Sequence, residues 1–252
     1  MTLFEKYRKA YEQCFIPIFV KDSFDTDTLI EGCKLAGAEV IEYTLRREDA
    51  NTVIPTLKKD FGGVVFVGST IDDDRITLQM KKKNPQLMPL SELAPHVDGF
   101  VSMLPYSDET LNKYRGTHIL IPTAETSGEA LRQIKNGATV IKVLGPDFSF
   151  SKKLHAVPTF NYCPTFVTGG VNIDRMPEAF EAGNVMCAAG FDLILKDEDP
   201  KTLSATTVAE KLKKFIDSAK AARAAAFPEL AQTEPLTDTE FANRLPNYCG
   251  II

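Results

Sequence analysis

A chain of 252 residues with 29 Lys plus Arg against 34 Asp plus Glu carries a formal net charge of −5 at pH 7, which argues against nucleic acid or an anionic membrane as its main partner. Hydrophobic residues at 44% and charged residues at 25% are ordinary for a soluble globular protein, and an α/β barrel closes as a single unit near this length. Five scattered cysteines without a CxxC pair read as free thiols of a reducing cytosol. Three isolated histidines exclude a histidine-rich metal site while leaving an all-carboxylate Mg²⁺ site open.

No apolar leader opens the chain, and no stretch approaches the length of a membrane span. Residues 3–14 read as an amphipathic helix leading into a first strand, Ile16 to Val20. A helix over 26–36 follows, with Asp25 or Thr26 as its cap and Gly37 as its stop. Strands at 39–45, 63–69, 98–102, 118–121, 139–144, 164–168 and 185–190 then alternate with helical patterns at about 48–59, 73–83, 107–114, 127–136, 151–156 and 174–182. The Lys81-Lys82-Lys83 run is a solvated helix end.

Nearly all eight strands are short continuous apolar runs, the mark of parallel strands covered on both faces. Eight β-α units predict a single (β/α)8 TIM barrel with an N-terminal helix, in preference to a doubly wound open sheet. No composition shift marks a second domain, so residues 1–226 are read as the barrel, closed by an Ala/Lys-rich helix from Thr206 to about Ala226. Residues 227–252, punctuated by Pro228, Pro235 and Pro246, are read as an extension packing on the barrel or on a neighbouring subunit.

The chemistry centres on Gly137-Ala138-Thr139-Val140-Ile141-Lys142-Val143-Leu144-Gly145-Pro146, a buried strand with one lysine inside it. A buried ammonium costs several kcal/mol, so Lys142 would have a lowered pKa and a nucleophilic amine. A lysine near the strand end could equally snorkel to water, and the stretch alone weighs both readings the same. On the second strand, a two-residue period puts Glu42, Thr44 and Arg46 on one face and Ile41, Tyr43 and Leu45 on the other. In a barrel the first set faces the axis, with Arg46 nearest the carboxyl end. A lone Glu/Arg pair is often a structural ion pair, but a second buried charge on another strand favours function. Two strand ends, Val67-Gly68-Ser69-Thr70 and Val167-Thr168-Gly169-Gly170, are small and polar. Glycines there let backbone N–H groups approach an anion, although Gly-Gly is also a plain tight turn.

The segments IEYTLR (41–46), ILIPTAETSGE (119–129), ATVIKV (138–143) and VTGGV (167–171) together resemble the 2-keto-3-deoxy-6-phosphogluconate / 4-hydroxy-2-oxoglutarate aldolases in order and spacing. The resemblance runs from about residue 15 to about 195 and implies a class I pyruvate aldolase on a (β/α)8 barrel, metal-free and usually trimeric. By that resemblance Lys142 is the Schiff-base lysine, Glu42 the general acid/base and Arg46 the holder of the pyruvate carboxylate. Thr70 falls in the substrate pocket. Thr168, Gly169 and Gly170 fall on the distal-end site, which holds phosphate in the phosphogluconate enzymes. The expectation is a cytoplasmic homotrimer cleaving a 2-keto-4-hydroxy acid to pyruvate and an aldehyde, with a covalent lysine imine in place of a cofactor. Its rivals are another keto-acid reaction on the same lysine and a degenerate homologue that binds a metabolite without turnover.

Four departures accompany the resemblance. The family's proline before TGG is Val167, its KFFP segment reads Lys142-Val143-Leu144-Gly145, its SPG reads Ser102-Met103-Leu104, and its Gly-Gly-Ser reads Ala189-Gly190-Phe191. With Phe191 in place of a phosphate-binding serine, a non-phosphorylated substrate is expected to be preferred.

Overall fold

The computed structural model describes residues 1–145, 147–157, 163–228, 237, 239 and 240. Its strands are β1 (Phe15–Phe19), β2 (Val40–Thr44), β3 (Val64–Thr70), β4 (Gly99–Ser102), β5 (Ile119–Ile121), β6 (Ile141–Leu144), β7 (Thr165–Thr168) and β8 (Met186–Gly190). All pair in parallel in the order β5-β4-β3-β2-β1-β8-β7-β6. The two ends of that order meet at a bridge between Thr123 and Lys142, where the Lys142 N–H donates to Pro122 O at 2.8 Å and the Ala124 N–H to Lys142 O at 3.3 Å. This is the (β/α)8 barrel, and its seam closes on the peptide of Lys142.

The helices are α1 (Leu3–Gln13), α2 (Thr26–Leu35), α3 (Ala50–Phe61), α4 (Asp74–Lys81), α5 (Leu90–Leu93), α6 (Asp108–Tyr114), α7 (Ser127–Lys135), α8 (Ser149–His155), α9 (Met176–Glu181), α10 (Phe191–Ile194) and α11 (Ala205–Ala226). Side-chain oxygens of Thr2, Asp25, Asp73, Ser107, Thr126 and Ser204 cap six of them at the N-terminus, each meeting an N–H that has no partner inside its helix. Every strand lies within two residues of its expected span. Two elements were not expected, α5 and α10, and both have only four residues. The expected extension over 227–252 falls almost wholly outside the described residues.

Alternation along the strands separates two cores. Ile16, Ile18, Val40, Val64, Phe66, Val101, Ile119, Ile121, Val140 and Phe166 point inward. Phe15, Phe19, Ile41, Tyr43, Val65, Val67, Phe100, Leu120, Ile141 and Val167 pack outward on the helices. Each such aliphatic side chain stabilises the fold by roughly 1.5–3 kcal/mol relative to exposure. The layer is tight where α2 meets α11: a Cβ on Gly32 would lie 2.4 Å from the Val208 side chain.

The N-terminal mouth of the barrel is shut. Tyr7, Ala10 and Tyr11 of α1 join the interior cluster there. The Gln13 amide donates to Phe15 O (2.8 Å) and Val40 O (2.7 Å) and accepts from the Glu39 and Val40 N–H groups at 2.6 and 2.9 Å. Arg223 of α11 donates to the carbonyls of Tyr11 and Val185. No described helix is long and apolar enough to cross a membrane.

Candidate active site

Glu42 lies on the inward face of β2 and is 2% exposed; Lys142 lies on the inward face of β6 and is 5% exposed. The snorkelling alternative for the lysine is therefore not what the fold adopts. Its Nζ donates to Met103 Sδ at 3.3 Å, a weak acceptor. Glu42 Oε2 is buried without a hydrogen-bond partner among the described residues. Room for the other oxygen comes from β3: a Cβ on Gly68 would sit 2.0 Å from Glu42 Oε1.

Both groups titrate away from their ordinary ranges. Burial lowers the Lys142 pKa; the charge of Glu42 pulls it back only in part, and Arg46 adds to the lowering. Burial raises the Glu42 pKa, again only partly opposed by the charge of Lys142. Burial thus pushes both groups toward their uncharged forms, the carboxyl upward and the amine downward, and each charge partly opposes the shift of the other.

These residues line a cavity of about 270 Å³ at the carboxyl ends of the strands, where barrels of this kind place their sites. Arg46, Thr168, Gly169 and Gly170 line the same cavity. Arg46 sits beyond the end of β2 and is exposed, its guanidinium without a hydrogen bond or ion pair among the described residues. The loop that carries it is pinned by its neighbour. Arg47, 3% exposed, bonds the Tyr43 hydroxyl (2.8 Å), Asp49 (3.1 Å), the Thr26 hydroxyl (2.7 Å) and the Lys21 carbonyl. At the end of β7, Gly169 and Gly170 adopt φ of 92° and 74°, conformations open to glycine at little cost. The Gly145 N–H donates to Thr168 O at 3.3 Å and ties that turn to the lysine strand.

Thr70 is not among the cavity-lining residues. The ladder between β3 and β4 slips between Val67 and Thr70, and Ser69 adopts φ 60°. This bulge aims Ser69 into the cavity and turns Thr70 into the wall. There the Thr70 hydroxyl donates to Val101 O at 3.0 Å and so accepts from the Tyr106 hydroxyl at 2.7 Å.

Phe191 also lies elsewhere than expected. It is 2% exposed and packs edge-on against Phe19, ring centroids 5.0 Å apart, in the layer beneath the helices. Its neighbour Asp192 lines the cavity instead, with Oδ2 3.2 Å from the Lys21 ammonium. Sequence reasoning missed Asp192, Ser69 and Met103 as lining residues. Met103 left a trace as a departure from the family's SPG, and Ser69 as part of a polar strand end, whereas Asp192 left none.

Two larger hollows, about 530 and 430 Å³, lie between helices and loops on the outside of the barrel. Neither is lined by a buried lysine, and the smaller cavity holds both Lys142 and Glu42. Among the described residues no cluster of three or more His, Cys, Asp or Glu is arranged to hold a metal ion.

No protein-family model and no curated protein matches the chain. Solved structures do match. One described as native KDPGal superimposes with a TM-score of 0.63 at 19% identity, over 82% of this chain and 95% of the other. The 2-keto-3-deoxy-6-phosphogluconate aldolase of Zymomonas mobilis, solved with 3-phosphoglycerate, gives 0.62 at 18% identity over 89% and 99%. The KDPG aldolase of Legionella pneumophila, solved with pyruvate captured as a covalent carbinolamine, gives 0.60 at 19% identity over 82% and 97%. At such identities the likeness establishes the barrel.

Proposed function

We propose that the chain is a class I aldolase that cleaves a 2-keto-4-hydroxy acid to pyruvate and an aldehyde. The observation that carries this reading is a buried lysine with only a thioether beside its amine, sharing one cavity with a buried, half-unpartnered carboxylate. The fold shared with aldolases, one of them holding pyruvate covalently, supports it.

In this mechanism the neutral Lys142 amine attacks the C2 carbonyl. The carbinolamine hydroxyl takes the proton held on Glu42 and leaves as water, giving an iminium ion. Glu42, now a carboxylate, accepts the C4 hydroxyl proton as the C3–C4 bond breaks. The bonding electrons flow into the iminium, an enamine forms and the aldehyde departs. Glu42 returns the proton to C3, and hydrolysis of the imine frees pyruvate and the lysine. Arg46, with no partner among the described residues, binds the keto acid's carboxylate in bidentate fashion and fixes C2 over the amine. The Thr168-Gly169-Gly170 turn receives the far end of the substrate. The cycle needs no metal or organic cofactor, and the resemblance extends the reading to a cytosolic homotrimer.

The test is borohydride reduction in the presence of pyruvate, followed by intact-mass measurement and peptide mapping. One pyruvyl group on Lys142 is expected. A label on another lysine, or none, overturns the reading.

A further inference from the structure

Resting on the aldolase reading, we propose that Asp192 selects the distal half of the substrate. It admits an aldehyde ending in a neutral hydroxyl and turns away one ending in phosphate or carboxylate. Among the described residues four charged side chains line the cavity: Glu42, Lys142, Arg46 and Asp192. In the proposed cycle Lys142 becomes the imine and Arg46 is occupied by the keto acid's own carboxylate. Among the described lining residues no cation is then left for a second anionic group, and what remains at the far end is a carboxylate; Arg175, whose Nη1 would lie 4.0 Å from a Cβ on Gly170, does not line the cavity and pairs with Glu178 at 3.3 Å.

The geometry places that carboxylate beside the turn that receives the far end. β7 and β8 are neighbours, with Thr168 paired to Ala188, so Gly169 and Gly170 at one strand end adjoin Gly190 at the other. Asp192 folds back over this edge: a Cβ on Gly190 would sit 2.3 Å from Asp192 Oδ1. Oδ2 faces Lys21, whose side chain is 57% exposed and does not line the cavity. The ion pair therefore holds the carboxylate in place while its cation stays on the solvent side.

Chemical complementarity decides what fits. Phosphate and carboxylate oxygens at neutral pH only accept hydrogen bonds, and so does Asp192, so the two repel without a bond to offset the repulsion. A hydroxyl both donates and accepts. It can give its proton to Asp192 while taking an N–H from the Gly169–Gly170 turn. This excludes the carboxylate end of 4-hydroxy-2-oxoglutarate as well as a phosphate ester, leaving an unphosphorylated polyhydroxy aldehyde as the partner of pyruvate.

The experiment follows condensation of pyruvate with glyceraldehyde, glyceraldehyde 3-phosphate or glyoxylate, three aldehydes that differ in the group offered to Asp192. Products are quantified by mass spectrometry for wild type, Asp192→Asn and Asp192→Ala, with circular dichroism confirming that each variant is folded. Wild type should show its highest kcat/KM with glyceraldehyde. Both variants should shift the ratio toward glyceraldehyde 3-phosphate by about tenfold or more, the scale of one like-charge contact at a partly solvated site. A wild-type preference for either anionic aldehyde, as would follow if Lys21 swung inward, overturns the proposal, and so does an unchanged ratio in both variants. Pyruvyl labelling of wild-type Lys142 separates the two failures. Label without the expected selectivity sinks the role of Asp192 alone, whereas no label removes the aldolase reading and this proposal with it.

Discussion

Asp98 and Glu42 are both buried carboxylates of the same barrel, one at its closed end and one at its open end. Asp98 Oδ1 is met by Lys6 at 2.9 Å and Lys58 at 2.7 Å, and its Oδ2 by the Val65 N–H at 3.2 Å. Burial raises its pKa, but the bonds from Lys58, Lys6 and Val65 outweigh burial and hold it below the ordinary value. At Glu42 burial wins, one oxygen is orphaned and the pKa moves up. Burying an unmet polar group costs about 1–3 kcal/mol. The closed end is built to avoid that cost and the open end accepts it, which is where reactive groups are expected.

The largest break of this contrast is Lys142→Met. Removing the amine should abolish pyruvyl labelling altogether, while thermal melting should show equal or higher stability, because a buried ionisable amine with only a weak acceptor has been replaced by an apolar group of similar length. Loss of stability would mean that Lys142 is part of the scaffold. Next, Glu42→Gln keeps the shape and removes the proton carrier. Turnover of the best substrate should fall roughly 10²–10⁴-fold by steady-state kinetics, and near-normal turnover would reduce Glu42 to a structural role.

Gly68→Ala acts on Glu42 without touching it chemically. The new methyl would have to displace the carboxylate, so kcat should drop by about 10²-fold with little change in the apparent affinity for pyruvate. The mildest is Asp98→Asn at the closed end. It should cost roughly 1.5–3 kcal/mol of unfolding free energy in urea at neutral pH, by loss of charge-assisted bonds, and leave turnover alone. Because the folded-state pKa of Asp98 is depressed, the wild-type contribution is full above the ordinary value of 3.8 and lost as pH falls through the folded-state pKa. The gap between wild type and variant should therefore close in acid.

The barrel was legible because parallel strands covered on both faces write themselves as continuous apolar runs, as in Val64-Val65-Phe66-Val67, and in Val140 to Leu144 broken by Lys142 alone. The inward placement of Glu42 followed from a two-residue period, whereas the stretch around Lys142 weighed burial and snorkelling alike and only the resemblance favoured the buried reading. What the sequence hid were local departures from regularity. The helices at Leu90–Leu93 and Phe191–Ile194 have four residues each, too few to show a 3.6-residue period. Thr70 was placed in the pocket by the resemblance, and it lies in the wall because Ser69, a non-glycine residue, adopts a left-handed φ that leaves no trace in its identity. The match to the family's Gly-Gly-Ser put Phe191 at the substrate's far end, whereas the turn into α10 rotates Phe191 toward Phe19 and brings Asp192 over the cavity. Arg46 was read as nearest the carboxyl end, and its exposure follows because β2 stops at Thr44 and Arg47 takes the buried place.

The helix that plugs the barrel floor governs traffic as well as stability. With Tyr7, Ala10 and Tyr11 filling the N-terminal mouth, molecules enter and leave by one opening. In the proposed cycle the covalent bond to Lys142 sets the order of departure, aldehyde first and pyruvate second, and the plug sets the route: both must leave through the same open mouth.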